Sequence, residues 1–170
     1  MSAVRTMGVS VTDVHTTQQL PLGFEFNQPA DTTNEYGDRT WVYVHNDPAA
    51  AAAWALGEVI IRDPSTITQD WFGGEKAPVT VHTPQVMCLG VAQHAIAAGS
   101  YGFILKKGIG TVLAGSAGVA LDQAFTTGGS AAGTVLIFAD DTAMANISVI
   151  GHTATAIGGG ASGTAYINCG

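Results

Sequence analysis

AAGSYGFILKKGIGTVLAG (97–115) is the densest β-type stretch of the chain, and its reading decides the class of fold. Gly99-Ser100 suits a tight turn, because glycine enters left-handed backbone conformations without a Cβ clash. Tyr101 to Lys107 then runs out in the aromatic and aliphatic residues that strands favour. Gly108 breaks or bulges this run, and IGTVLA (109–114) carries it on. The start of the stretch is one copy of a phrase stated four times: Ala, a small or apolar residue, Gly, any residue, then an apolar run. The copies are ALGEVII (55–61), AAGSYGF (97–103), AAGTVLI (131–137) and ASGTAYI (161–167). Their glycines, Gly57, Gly99, Gly133 and Gly163, are unevenly spaced, whereas a solenoid needs a fixed period. We read the phrase as turn-into-strand grammar, not as a repeat family.

On the N-terminal side, residues 1–20 form an arm or edge strand, with Val9 and Val11 alternating with polar residues. QLPLGFEF (19–26) places Leu20, Leu22, Phe24 and Phe26 at period two, as a strand with one buried face does. WVYVH (41–45) is a strand bounded by turn formers. Asp47 and Pro48 then supply a helix start, AAAAAWAL (49–56) a short helix, and Gly57 its stop. EVIIRD (58–63) is the next strand. Residues 64–78 make an excursion that carries Trp71-Phe72.

β-type runs continue at VTVHT (79–83) and QVMCLGVAQH (85–94). On the C-terminal side SAGVALDQAF (116–125) gives a further strand and TTGGSAAG (126–133) a turn. TVLIFAD (134–140), almost continuously apolar, is expected to be a central strand buried on both faces. ISVIGHTATA (147–156) and the closing strand TAYINC (164–169) complete the chain. The sum is an all-β fold, a compact β-barrel or β-sandwich of about ten short strands with one short helix and an N-terminal extended arm. Residues 21–170 form a single β domain, with a compact module at about 85–170.

Composition narrows the function. Six Lys and Arg face thirteen Asp and Glu, a formal charge of −7, which disfavours direct nucleic-acid binding because phosphate contacts need clustered cations. No apolar run is long enough for a membrane span, and the first residues lack a signal-peptide core. Synthesis in a cytoplasm is the default expectation. Only 11% of residues are charged, well below the usual ~25%. A surface so poor in charge points to partial covering by a partner.

No pair among His15, His45, His82, His94 and His152 has metal-ligand spacing, and no metal or cofactor site is expected. Asp140-Asp141 are turn residues. The glycines match neither a phosphate loop nor a dinucleotide fingerprint, and no nucleophile elbow occurs. We expect no enzymatic activity. Cys88 and Cys169 read as two small buried thiols, and a disulfide between them would need an oxidising setting. The interface candidates are Trp71, Phe72, Val9, Val11 and Trp54, since tryptophan is enriched at interfaces and an N-terminal arm can add a strand to a neighbour.

GVAQHAIAAGSYGFILKKGIGTVLAGSAGVALDQAF (90–125), with VIGHTATA (149–156), TAYINC, LPLG (20–23), YVH (43–45) and LGEVIIRD (56–63), resembles the β-rich head decoration (cement) proteins of tailed bacteriophages. The resemblance runs from about residue 19 to the end. It implies a structural virion protein on the capsid surface, whose partners are the major capsid protein and its own copies in a homotrimer. It also implies stabilisation by bridging shell subunits, with no cofactor. The alternative is a tail, fibre or adhesin β module that binds host glycans through Trp71, Phe72 and Tyr36.

Overall fold

The computed structural model describes residues 5–30, 37–47, 52–63, 71–79, 87–128, 130–138 and 149–170. Its strands, in chain order, are β1 (Arg5–Thr6), β2 (Val9–Ser10), β3 (Val14–His15), β4 (Glu25–Gln28), β5 (Arg39–Asn46), β6 (Val59–Arg62), β7 (Gly73–Lys76) and β8 (Cys88–Val91). They continue with β9 (Tyr101–Leu113), β10 (Ala124–Thr127), β11 (Val135–Ile137), β12 (Gly151–Thr153) and β13 (Ser162–Asn168). The fold is all-β, as the sequence leads one to expect.

Five strands close a barrel. β5 pairs antiparallel with β9, β9 with β8, β8 with β6, and β6 with β7. β7 then returns to β5 in parallel, at His45–Gly73 and Asn46–Gly74. Closure removes open strand edges. The interior holds Val42, Val44, Trp54, Ile60, Leu89, Ile96 and Ile104 in one buried cluster. Alternation along the strands turns Trp41, Tyr43, Phe103 and Leu105 to the outside, where they belong to a second cluster. Trp54 fits inside because Gly74 lies against it: a Cβ on Gly74 would come within 3.0 Å of the indole and 2.7 Å of Ile60.

β9 is too long for one barrel, and it serves two. Leu105 faces Trp41 while Lys107 faces Thr40, so Lys106 is an extra residue in β9. Such a bulge bends and twists a strand. Beyond it β9 pairs with β13, from Lys107–Asn168 to Leu113–Ser162. β13 pairs with β12, β12 with β10, and β10 with β11. Val135 of β11 meets Ala114, just past β9, in a parallel bridge. A second ring of five thus closes, and the C-terminal half of β9 takes the part that β5 has in the first.

The second ring repeats the register of the first. Val91 opposite Leu105 has its counterpart in His152 opposite Tyr166. Ile60, between Gly90 and Lys76, corresponds to Phe125, between Gly151 and Ile137. The bridge Trp54–Ile96 corresponds to Val119–Ile157. Even the connecting bonds repeat: Gly57 N to Ala92 O and Ala92 N to Glu58 O become Asp122 N to Thr153 O and Thr153 N to Gln123 O. The chain is a tandem structural duplication, which the uneven glycine intervals concealed. Val112, Val119, Phe125, Val135, Ile150, Ile157 and Ala165 fill the second ring at the counterpart positions, in the cluster shared with the outer face of the first.

Several expectations are corrected. Residues 52–56 are not helical: Trp54 sits in a strand-like bridge to Ile96, and 49–51 lie outside the described residues. Gly57, Gly99 and Gly133 are equivalent after all. Each is the third residue of a hydrogen-bonded turn (Ala55–Glu58, Ala97–Ser100, Ala131–Thr134) with φ of 85°, 73° and 79°, the conformation of a type II turn. In the fourth copy the turn falls earlier, at Gly158–Ala161, and Gly163 lies within β13. Residues 116–123 hold turns and the Val119 bridge, and the strand begins at Ala124. In β11 only Val135 is fully buried while Leu136 and Ile137 are half-buried, so 135–137 is not a strand buried on both faces.

Candidate functional site

The expected interface residues go to different places. Trp54 is 1% exposed and fills the first barrel. Val9 and Val11 are buried in the main cluster, so this part of the arm packs on its own chain. The arm adds its strand in cis: β3 pairs with β9, Val14 opposite Gly102 and His15 opposite Tyr101. The described side chains therefore do not support a free arm over residues 6–20.

Trp71 and Phe72 come back from the excursion as neighbours with separate roles. Phe72 is half-buried against the first barrel's interior cluster and lies over Gly23, where any Cβ would collide with its ring. Its carbonyl accepts a hydrogen bond from His45 N at 3.1 Å, which fixes the entry into β7. Trp71 stays 47% exposed. Arg62, the last residue of β6, stacks its guanidinium over both rings, 4.3 Å from the Trp71 centroid and 4.9 Å from that of Phe72. The same guanidinium donates from Nη1 to the Trp71 carbonyl at 2.5 Å. Burial pulls Arg62 below its ordinary pKa, and the nearby Cys88 acts in the opposite direction. The exposed indole is thus held in place by a partly desolvated cation, a contact of about 0.5–2 kcal/mol.

A second feature had no sequence signal beyond an aromatic in the closing strand. Asn27, Gln28, Asp38, Arg39, Lys107 and Tyr166 line an open groove of about 820 Å³. Tyr166 is 41% exposed. Arg39 donates from Nε to Ile109 O at 2.8 Å, and Trp41 Nε1 donates to Gln28 Oε1 at 3.0 Å. The groove offers one aromatic face and a ring of donors and acceptors.

The described histidines, His15, His45, His94 and His152, do not assemble into a site. His45 stacks on Tyr101 at 4.3 Å, with His15 opposite Tyr101 on the other edge. His94 lies apart, and burial pushes its imidazole below the ordinary range against a smaller opposing effect of Asp13. Among the described residues no group of three or more His, Cys, Asp or Glu gathers as metal ligands do, and no helix is long and apolar enough to cross a membrane. His82, Asp140, Asp141 and Tyr36 lie outside the described residues.

Fold and surface together define a tandem β-barrel protein that presents a cation-braced tryptophan. No known protein-family model matches the chain, and no curated protein matches it. Among solved structures it is similar to the N base of the head fibre gp8.5 of bacteriophage phi29, at 15% identity and a TM-score of 0.49, covering 76% of this chain and 95% of that one.

Proposed function

We propose that the chain is a structural virion protein that decorates a tailed-phage head, binding the outer surface of the shell and bridging neighbouring major capsid subunits as a homotrimer. It acts by surface burial, with no enzymatic step, cofactor, nucleic acid or membrane, and after synthesis in the host cytoplasm it resides on the capsid surface. Trp71 carries this reading at the level of the structure. A large aromatic held rigid in the unbound protein loses little side-chain freedom on docking, and such residues dominate binding energy. The charge-poor composition and the sequence resemblance to head decoration proteins support the same reading. The test is co-sedimentation of the purified chain with expanded capsids that lack their decoration. Binding that Trp71→Ala weakens about 30-fold, the equivalent of about 2 kcal/mol, is the expected result. A chain that leaves capsids bare removes the proposal.

The groove at Tyr166 favours a second reading, a fibre or adhesin module for host glycans, since an exposed ring flanked by amide and charged groups suits a sugar face. Binding to host polysaccharide that Tyr166→Ala abolishes, without binding to capsids, would select it.

A further inference from the structure

Cys88 opens β8 in the first barrel, and Cys169 follows β13, the last strand of the second. Their Sγ atoms lie 2.7 Å apart across 81 residues of sequence. Both are thiols and both are buried. Neither sits on a loose loop: Cys88 pairs with Ile61 in the β6–β8 ladder, and Cys169 N donates to Lys106 O at 3.0 Å. A recess of about 180 Å³ is lined by Cys88 and Cys169 together with Arg62, Lys106 and Glu25 among others. Hydrogen bonding to Cys88 and burial push the Cys169 thiol up, and Lys106 acts against them. The thiolate is the reactive form; at Cys169 the first two effects keep it scarce, and Lys106 favours it.

We propose that Cys88 and Cys169 are a redox modification site, which a peroxide small enough for this recess converts to a disulfide joining the two barrels. One thiolate attacks a peroxide oxygen; the O–O bond breaks, hydroxide leaves and takes a proton to become water, and a sulfenic acid forms. The second thiolate attacks that sulfur; the S–O bond breaks and hydroxide again leaves as water. Two thiols and one hydrogen peroxide yield one disulfide and two waters. A reducing cytoplasm keeps the pair open, and an oxidising exterior closes it. The closed form ties the end of the second barrel to β8 of the first, over a loop long enough to restrict the unfolded chain strongly.

The experiment treats the native, reduced chain with hydrogen peroxide and reads intact mass, free thiols and the thermal midpoint. Loss of two hydrogens from a monomeric chain, reversal by dithiothreitol and a raised midpoint are expected. Retention of both thiols, gain of oxygen without loss of hydrogen, a link between two chains, or an unraised midpoint overturns the proposal. Because the decisive measurement uses the unaltered chain, it stands even if Cys88→Ser fails to fold.

Discussion

Trp54 and Gly74 show how one residue sets its neighbour. In the first barrel a tryptophan fills the interior and a glycine makes room for it, whereas Val119 and Val135 hold the counterpart positions in the second. Gly74→Val alone should overpack the first barrel and destabilise it by about 1–3 kcal/mol. Trp54→Val alone should open a cavity, at about 3 kcal/mol or more. The double variant copies the second barrel and should lose clearly less than the sum, which urea unfolding of the four proteins measures. Strict additivity would show that the two positions do not share a space. His94 gives a pH effect of definite sign. Its folded pKa lies below the unfolded value of 6.5, so as pH falls through about that value the unfolded chain takes up a proton that the folded chain resists. Stability should therefore drop on acidification. Among the described residues neither ring nitrogen of His94 has a hydrogen-bond partner, and His94→Gln should flatten this part of the stability–pH curve.

At the scale of elements, the legible strands were those whose side chains carry the pattern: WVYVH became β5, VIIR became β6, and the two halves of 101–113 became β9 with its bulge. β7 was not legible. Its sequence, GGEK, has no strand propensity, and it is a strand because the ring needs a small residue beside Trp54 and a backbone partner for β5. Residues 52–56, expected as the end of a helix, failed the other way. Local helix propensity is worth tenths of a kcal/mol per residue, and burying an indole outweighs it. The exposed anchor Trp71 was legible from residue type, whereas its brace Arg62 was not, since nothing local links a strand end to the far side of an excursion. The turns separate backbone conformation from space. Gly8 and Gly57 share a φ of 85°, but a Cβ on Gly8 meets nothing while one on Gly57 comes 2.8 Å from Leu113 N. Gly8→Ala should cost about 1 kcal/mol, the strain of a left-handed alanine. Gly57→Ala should cost visibly more by chemical denaturation, and equal losses would mean that the Leu113 contact relaxes freely.

The molecule as a whole is a duplication that cannot be divided at a linker. β9 belongs to both rings, and one continuous cluster runs from the interior of the second barrel to the outer face of the first. Independent barrels would each need their own copy of that strand and would unfold separately. A shared strand makes the loss of one ring expose an edge and an apolar face of the other, so the two should melt together. The tryptophans allow a direct test, because Trp41, Trp54 and Trp71 all lie in the first barrel's half of the chain. Phe125 is fully buried in the second ring, against Gly151. Phe125→Ala should destabilise the chain by about 3–5 kcal/mol and shift the tryptophan fluorescence transition as far as the far-ultraviolet circular dichroism transition. If the fluorescence midpoint stays in place while the dichroism moves, the barrels are separate folding units and β9 only connects them.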